Sequence, residues 1–228
     1  MIDNPIILLA VFPLIAYLIG ATPFGMIIGV HKGVDLRLHG SGNVGATNVG
    51  RVLGRRWGYL CFFLDVAKGL IPVALAGAVL RPAEGVPTLL HQAAWLGVGL
   101  GAILGHVFTF WLGFKGGKGV ATALGVVLGF SPYFTGSGLI ALAIWIAVTL
   151  ASRYVSLGSV VAAAAFLPTF VAFNYGRLAE IWPFCAFAAA MVVLVIVRHR
   201  SNIRRLLTGT ENKVTRPWRA ANDRPGAP

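Results

Sequence analysis

Apolar residues run along the chain in long blocks broken by short polar loops, at roughly 5–30, 57–80, 89–112, 119–130, 132–151, 155–173 and 181–197. A membrane-crossing helix needs about 20 mostly apolar residues. Six of the blocks meet or approach that length. The fourth, 119–130, is short for a full crossing, and is expected to be tilted, to continue into its flanks, or to enter partway with its ends buried in protein. The expected fold is an all-α integral membrane protein of about seven transmembrane helices in a single bundle. One polytopic domain spans 1–213, and 214–228 forms a flexible basic C-terminal tail rich in Pro, Gly and charge. Composition agrees, with 57% hydrophobic and 11% charged residues, outside the balance of a soluble domain.

No cleavable leader is expected. "MIDNP" lacks a basic start, and the first apolar run is long enough to remain as a helix. Cys61 and Cys185 fall within expected spans and read as small apolar packing residues rather than disulfide or metal partners.

The net charge of +12 changes the picture through its distribution. With the N-terminus outside and every block crossing, the loops at 31–56, 113–118 and 152–154 and the chain from 198 lie inside. They hold 16 of the 19 Lys and Arg residues. The outside loops hold Arg81 and Arg177, and Lys68 lies within the second block. This is the positive-inside signature, and it places the C-terminus on the cytoplasmic side of the membrane. Nothing resembles a groove-reading helix or an aromatic-interleaved basic platform, so nucleic acid is not the partner.

Three polar segments converge on that inner face: "HGSGNVGATNVGR" (39–51), "GHVFTFWLGFKGGKGVAT" (105–122) and "RHRSNIRRLLTGTENK" (198–213). "GSGNVG" (40–45) matches a dinucleotide fingerprint, and Asp65 falls 20 residues after Gly45. The fingerprint requires a preceding buried strand and a βαβ unit, whereas a membrane helix and a polar connector precede it here. What remains is local chemistry. Gly40, Gly42 and Gly45 let backbone N–H groups approach an anion. Ser41, Asn43, Thr47 and Asn48 add hydrogen-bonding groups, and Arg51 a donor fork suited to phosphate. A solvated turn with a topology-setting arginine is the plain alternative.

"GFKGGKG" (113–119) fails as a Walker A loop, because Leu112 stands at the first glycine position and Gly119 follows the lysine. It still suits phosphate. Gly116, Gly117 and Gly119 free the backbone, Lys115 and Lys118 bring charge, and a helix N-terminus follows at once. An ordinary hairpin with flanking lysines would not need four glycines in seven residues.

Deeper in the apolar blocks, His106 lies about 12 Å below this loop, and Asp65 at similar depth in the second block. Asp65 is expected to pair with Lys68 at i,i+3 and with His106 on the neighbouring helix, in a structural or supporting role. In the third segment His199 and Asn202 share a helix face, while Arg204 and Arg205 are expected to snorkel or to meet lipid phosphate. A smaller inward loop, "SRYVSLGS" (152–159), contributes Ser156. Phosphate-suited groups on one membrane face admit an enzyme of phosphorylated lipid precursors or a transporter of a phosphorylated anion. A transporter calls for polar groups at the bilayer midplane and repeated halves. Neither is visible, and the enzyme fits better.

The three segments together resemble the signature motifs of the bacterial membrane glycerol-3-phosphate acyltransferases that use acyl phosphate (the PlsY family). The similarity runs from the first span to about Lys213, with the motifs in order. "FTFW" (108–111) departs from it, with Thr109 where the family commonly has proline, and the tail 214–228 is additional. The resemblance implies seven transmembrane helices and acyl transfer from acyl phosphate to the sn-1 hydroxyl of glycerol 3-phosphate, giving lysophosphatidic acid and phosphate.

Residue chemistry is compatible with that reaction. An acyl phosphate already carries its leaving group, so no acyl-enzyme is required. The chain has no G-x-S-x-G elbow, and "HKGVD" (31–35) falls one residue short of the H-x-x-x-x-D motif of other glycerolipid acyltransferases. On this reading Ser41, Asn43 and the 116–119 backbone with Lys118 hold the acyl-phosphate head. Arg51, His199 and Asn202 orient glycerol 3-phosphate, and Ser156 adds a hydrogen bond. Glu211 and Lys213 order the tail over the site. The sn-1 proton goes to His199 or to the substrate's own phosphate. No cofactor is expected, and with neither an H-E-x-x-H motif nor a carboxylate cluster no metal either. Expected partners are the two substrates, membrane lipids, and transiently the soluble enzyme that makes acyl phosphate.

Overall fold

The structure is a computed structural model that describes residues 4–214; the tail from 215 lies outside the described residues. A turn of π-helix at Ile7–Val11 leads into α1 (Phe12–Gly20), and α2 (Phe24–His31) follows after a break. Next come the short α3 (Ala46–Leu53), the long α4 (Arg55–Leu80) and α5 (Leu89–Val107). Helices α6 (Val120–Gly129), α7 (Thr135–Ser152) and α8 (Val155–Asn174) lead to α9 (Trp182–Arg198) and α10 (Arg200–Leu207).

Among the described residues, five helical stretches are long and apolar enough to cross a membrane. They become six if α9 and α10, bent by 56° at His199, count as one span. The fourth block, 119–130, became α6, whose 10 residues rise about 15 Å, half a hydrocarbon core. Gly119 and Phe130 bound it, so it is a buried half-helix.

Burial is inverted relative to a soluble protein. Leu75, Leu150, Phe173 and Val193 stand outward, while Asp65, Lys68, His106, His199 and Asn202 are buried. Apolar side chains on the outside suit a bilayer as solvent. Where helices touch, glycine permits close approach: a Cβ at Gly105 of α5 would collide with the Tyr17 carbonyl of α1, and one at Gly125 of α6 with the Val66 carbonyl of α4.

The break between α1 and α2 falls at Pro23, which has no N–H to donate. The carbonyls at the break receive side-chain donors: the Thr109 hydroxyl donates to Ala21 O at 2.6 Å, and Lys68 Nζ to Thr22 O at 2.8 Å beside a backbone bond from Phe24 N at 3.1 Å. An aromatic cluster forms the core at one end of the bundle. Trp95 sits 5.2 to 5.9 Å from Phe130, Tyr133 and Phe184, edge on to each, a favoured arrangement. The three polar segments meet at the other end, where α4 and α6 begin and α9 finishes.

Candidate active site

Asn48 organises the first polar loop. Its Nδ2 donates to Leu36 O (3.2 Å) and His39 O (3.0 Å), and its Oδ1 accepts from Ser41 N (2.8 Å). Gly40 makes this possible, with φ 63° and a site where any Cβ would strike Asn48 Oδ1. Both ends of the amide are spent on the protein, so Asn48 shapes the loop rather than offering hydrogen bonds to a substrate. Ser41 is left at the loop's rim with no side-chain partner among the contacts of the described residues. The Asn43 side chain accepts from Gly45 N at 2.8 Å, at the entry to α3. Thr47 and Arg51 follow one turn apart on that helix, both facing the interior.

The glycine loop is built differently from its sequence expectation. Gly116 N donates to Val107 O (3.0 Å) and Gly117 N to His106 O (3.1 Å). Arg198 grips the other side of these peptides, donating to Gly117 O at 2.9 Å and reaching Gly116 O at 3.4 Å. The two glycines are therefore needed for packing: a Cβ on Gly116 would meet the His106 carbonyl, and one on Gly117 the His106 imidazole. Their N–H groups face the end of α5 and are not free for an anion. Lys115 is exposed on the loop's outer side and does not reach the interior. Gly119, at φ 85°, turns the chain into α6, so the N-terminal peptides of that helix, with Lys118, are what the segment presents inward.

The third segment closes the site. Lys118 Nζ donates to Asn202 Oδ1, and Asn202 Nδ2 donates to Glu211 Oε1 at 2.6 Å. Ser156 Oγ donates to the same oxygen at 2.8 Å, and Arg205 Nε to Glu211 Oε2 at 2.7 Å. Arg205 thus turns inward instead of snorkelling, while Arg204 is exposed. Beyond Glu211, Lys213 Nζ lies 5.4 Å over the Tyr154 ring, and Val214 N donates to Arg153 O at 2.8 Å. Lys213 is an external fastener of this C-terminal segment and not part of the cavity wall. His199 Nδ1 lies 2.8 Å from Val195 O. A carbonyl only accepts, so Nδ1 carries the proton and the neutral ring keeps its lone pair on Nε2.

Under the loops, Asp65 Oδ1 lies 2.7 Å from Lys68 Nζ and 3.6 Å from His106 Nδ1. The expected pairing is realised, and it has a further reach: Lys68 ties it to the α1–α2 break, and His106 supports the glycine loop.

These elements enclose a cavity of about 120 Å³, into which Ser41, Thr47, Arg51, Lys118, His199 and Asn202 all face, with Asp65 and His106 at its floor. Three cations, Arg51, Lys118 and Arg205, share it with two carboxylates, Glu211, held by Asn202, Ser156 and Arg205, and Asp65 at the floor, paired with Lys68 behind it. Burial among these cations, partly offset by Glu211, holds the Lys118 ammonium down at about 8. Burial acts to raise Glu211, but the hydrogen bonds from Asn202, Ser156 and Arg205 outweigh it and leave the carboxyl below its usual range. Such a site attracts phosphate. Among the described residues no group of three or more His, Cys, Asp or Glu is arranged to hold a metal ion.

Two apolar spaces adjoin the cavity and share Phe62 and Trp145 with it. One lies among α6–α9 and has about 120 Å³. The other is a groove of about 700 Å³ between α4 and α7, walled by Tyr59, Phe63, Ile146 and Leu150. Sequence reasoning missed these walls, which look like any apolar stretch, and missed the Arg198 clamp. Arg205 was discoverable from its i,i+3 spacing to Asn202.

Residues 10–209 match the family described as glycerol-3-phosphate acyltransferase. Relatives of that name are 48% identical over 211 residues in Geobacter sulfurreducens (92% of this chain, 97% of the relative) and 46% identical over 201 residues in Aquifex aeolicus (87% and 95%). The fold is similar to crystal structures of PlsY, an integral membrane glycerol 3-phosphate acyltransferase. Its glycerol 3-phosphate form has TM-score 0.77, 41% identity and coverage of 90% of this chain and 94% of that one. Its lysophosphatidic acid form has TM-score 0.74 with the same identity, covering 90% and 95%. The chain belongs to the glycerol-3-phosphate acyltransferase family.

Proposed function

We propose that the protein transfers a fatty acyl chain from acyl phosphate to the sn-1 hydroxyl of glycerol 3-phosphate, releasing lysophosphatidic acid and phosphate. The carrying observation is the cationic cavity that opens onto apolar space: one substrate needs only phosphate recognition, and the other a phosphate head with a lipid tail. Lys118, the first peptides of α6 and Ser41 hold the acyl-phosphate head. Arg51, Asn202 and Arg205 hold the glycerol 3-phosphate phosphate. The acyl chain runs past Phe62 and Trp145 into the α4–α7 groove, whose exposed walls meet the bilayer directly.

The acceptor hydroxyl oxygen attacks the acyl carbon, and its proton passes to His199 Nε2, the ring nitrogen left free by the Val195 contact. The tetrahedral intermediate then collapses with cleavage of the bond to the phosphate oxygen. The departing phosphate leaves with that electron pair, and Lys118 and the α6 N-terminus stabilise its charge. Ser41 acts as a hydrogen-bonding group and not as a nucleophile, since no base contacts it.

The basic loops favour seven membrane segments with α6 as the partial one, an extracytoplasmic N-terminus, and this cavity on the cytoplasmic face of the inner membrane. The test is phosphate release from palmitoyl phosphate by detergent-purified protein, with and without glycerol 3-phosphate and with EDTA. Release that requires the acceptor, survives EDTA and yields lysophosphatidic acid is expected. Release without acceptor would indicate an acyl-enzyme or a hydrolase.

A further inference from the structure

The loops at the aromatic end of the bundle contain two basic residues, Arg81 and Arg177, 96 positions apart in sequence. The fold brings both to one cavity of about 350 Å³, walled also by Gly77, Pro82, Pro132 and Tyr133. It lies at the far end of α4 from Arg55, about 39 Å along the helix axis, and shares no wall with the acyl-transfer cavity.

Arg81 uses one guanidinium nitrogen to hold Ser131 O at 2.7 Å. Arg177 lies 5.5 Å over the Tyr133 ring. A guanidinium has five N–H donors, so most of this donor capacity points elsewhere. Among the described residues neither arginine forms an ion pair with a carboxylate, although Glu84 and Glu180 stand in the same loops. Two like charges facing one cavity with no carboxylate in ion-pair contact repel each other, and an anion between them removes that cost.

The surroundings say what kind of anion. Trp182 and Tyr175 are exposed beside this cavity's loops, the arrangement of an aromatic belt at headgroup depth. Below it the bundle presents Leu75, Val79 and Phe173 outward, a surface for acyl chains.

We propose that Arg81 and Arg177 bind the phosphodiester of an anionic phospholipid in the leaflet facing this end of the bundle. The headgroup would bridge the end of α4, the α6–α7 turn and the α8–α9 turn. Because α6 begins at the acyl-transfer cavity, the lipid fastens the opposite end of a helix used there. The site stands independently of the proposed reaction.

The experiment measures lipid retention by native mass spectrometry and the melting temperature of the full chain in maltoside micelles. The micelles are supplemented with phosphatidylglycerol, phosphatidylcholine or inorganic phosphate. Phosphatidylglycerol should be retained and raise the melting temperature more than the other two. Arg81→Gln/Arg177→Gln should weaken retention at least tenfold. Should the double variant fail to fold, Arg177→Gln leaves the Arg81–Ser131 contact intact and should still weaken retention severalfold. Wild-type retention by that single variant would overturn the proposal. So would an equal effect of inorganic phosphate, which would mark a free-anion site, or of phosphatidylcholine, which would mark an unselective lipid contact.

Discussion

Glu211 accepts a 2.6 Å hydrogen bond from Asn202 Nδ2, and Asn202 in turn accepts from Lys118, so the segment after α10 is joined to the glycine loop through one amide. Glu211 also fixes Ser156 and Arg205. Removing it with Glu211→Ala frees the segment after α10 and leaves Asn202 and Arg205 misdirected. Hydrogen bonds to charged groups contribute about 1.5–3 kcal/mol net. The expected outcome is a rise of about 10–100-fold in KM for glycerol 3-phosphate, with a smaller rise in Glu211→Gln, which keeps the acceptor oxygen. Steady-state kinetics in which both variants match the wild type would remove the segment after α10 from the site.

Lys118 supplies a pH dependence. Its ammonium, held at about 8, is charged below that value and loses its proton as pH rises through it. A cation needed for phosphate therefore disappears on the alkaline side. Activity at subsaturating acyl phosphate should fall above about pH 8, and bound substrate should shift the limb upward by favouring the charged form. In Lys118→Arg, which stays charged, residual activity should lack this alkaline limb. A limb unchanged in the arginine variant would assign it to another group.

The long α4, α5, α7, α8 and α9 were legible because a run of apolar residues long enough to span has few other uses. The cavity was legible in its charged and amide side chains, since Ser41, Arg51, Lys118, His199 and Asn202 do face one space. Backbone supply was not. Glycines advertise free N–H groups, yet whether Gly116 and Gly117 offer them to a ligand or to Val107 and His106 depends on how α5 ends. Asn48 is the same case in side-chain form: an amide in a polar loop reads as a ligand until its three partners in residues 36–41 are seen. Contacts such as Arg198 to Gly117 join positions 81 apart, and no local pattern encodes them.

The Asp65–Lys68 pair is almost wholly buried, each side chain 3% exposed. Breaking such a pair by removing one partner costs about 3–5 kcal/mol, whereas replacing both is far milder. Lys68→Met alone should therefore strand the Asp65 carboxylate and leave the Thr22 carbonyl with Phe24 N as its partner, lowering the melting temperature in detergent strongly. Asp65→Asn/Lys68→Met should recover much of the loss. If the double variant were no better than the single, the role of Lys68 would lie in capping the α1–α2 break and not in neutralising Asp65.

Thr109 tests that break from its other side. The residue's φ of −68° is one that proline adopts. Its hydroxyl is nonetheless committed to Ala21 O at 2.6 Å within a site only 2% exposed. Thr109→Val keeps the shape and deletes the donor, leaving a buried carbonyl unpaired at a cost of about 1–3 kcal/mol. Thr109→Pro loses the same donor but restricts the unfolded chain, which returns about 0.4–1 kcal/mol. The expected order of melting temperature is Thr109, then Pro, then Val, with chemistry at the cavity largely retained in both variants. A valine variant as stable as the parent would show that another donor satisfies Ala21, and that this threonine is tolerated at the break without supporting it.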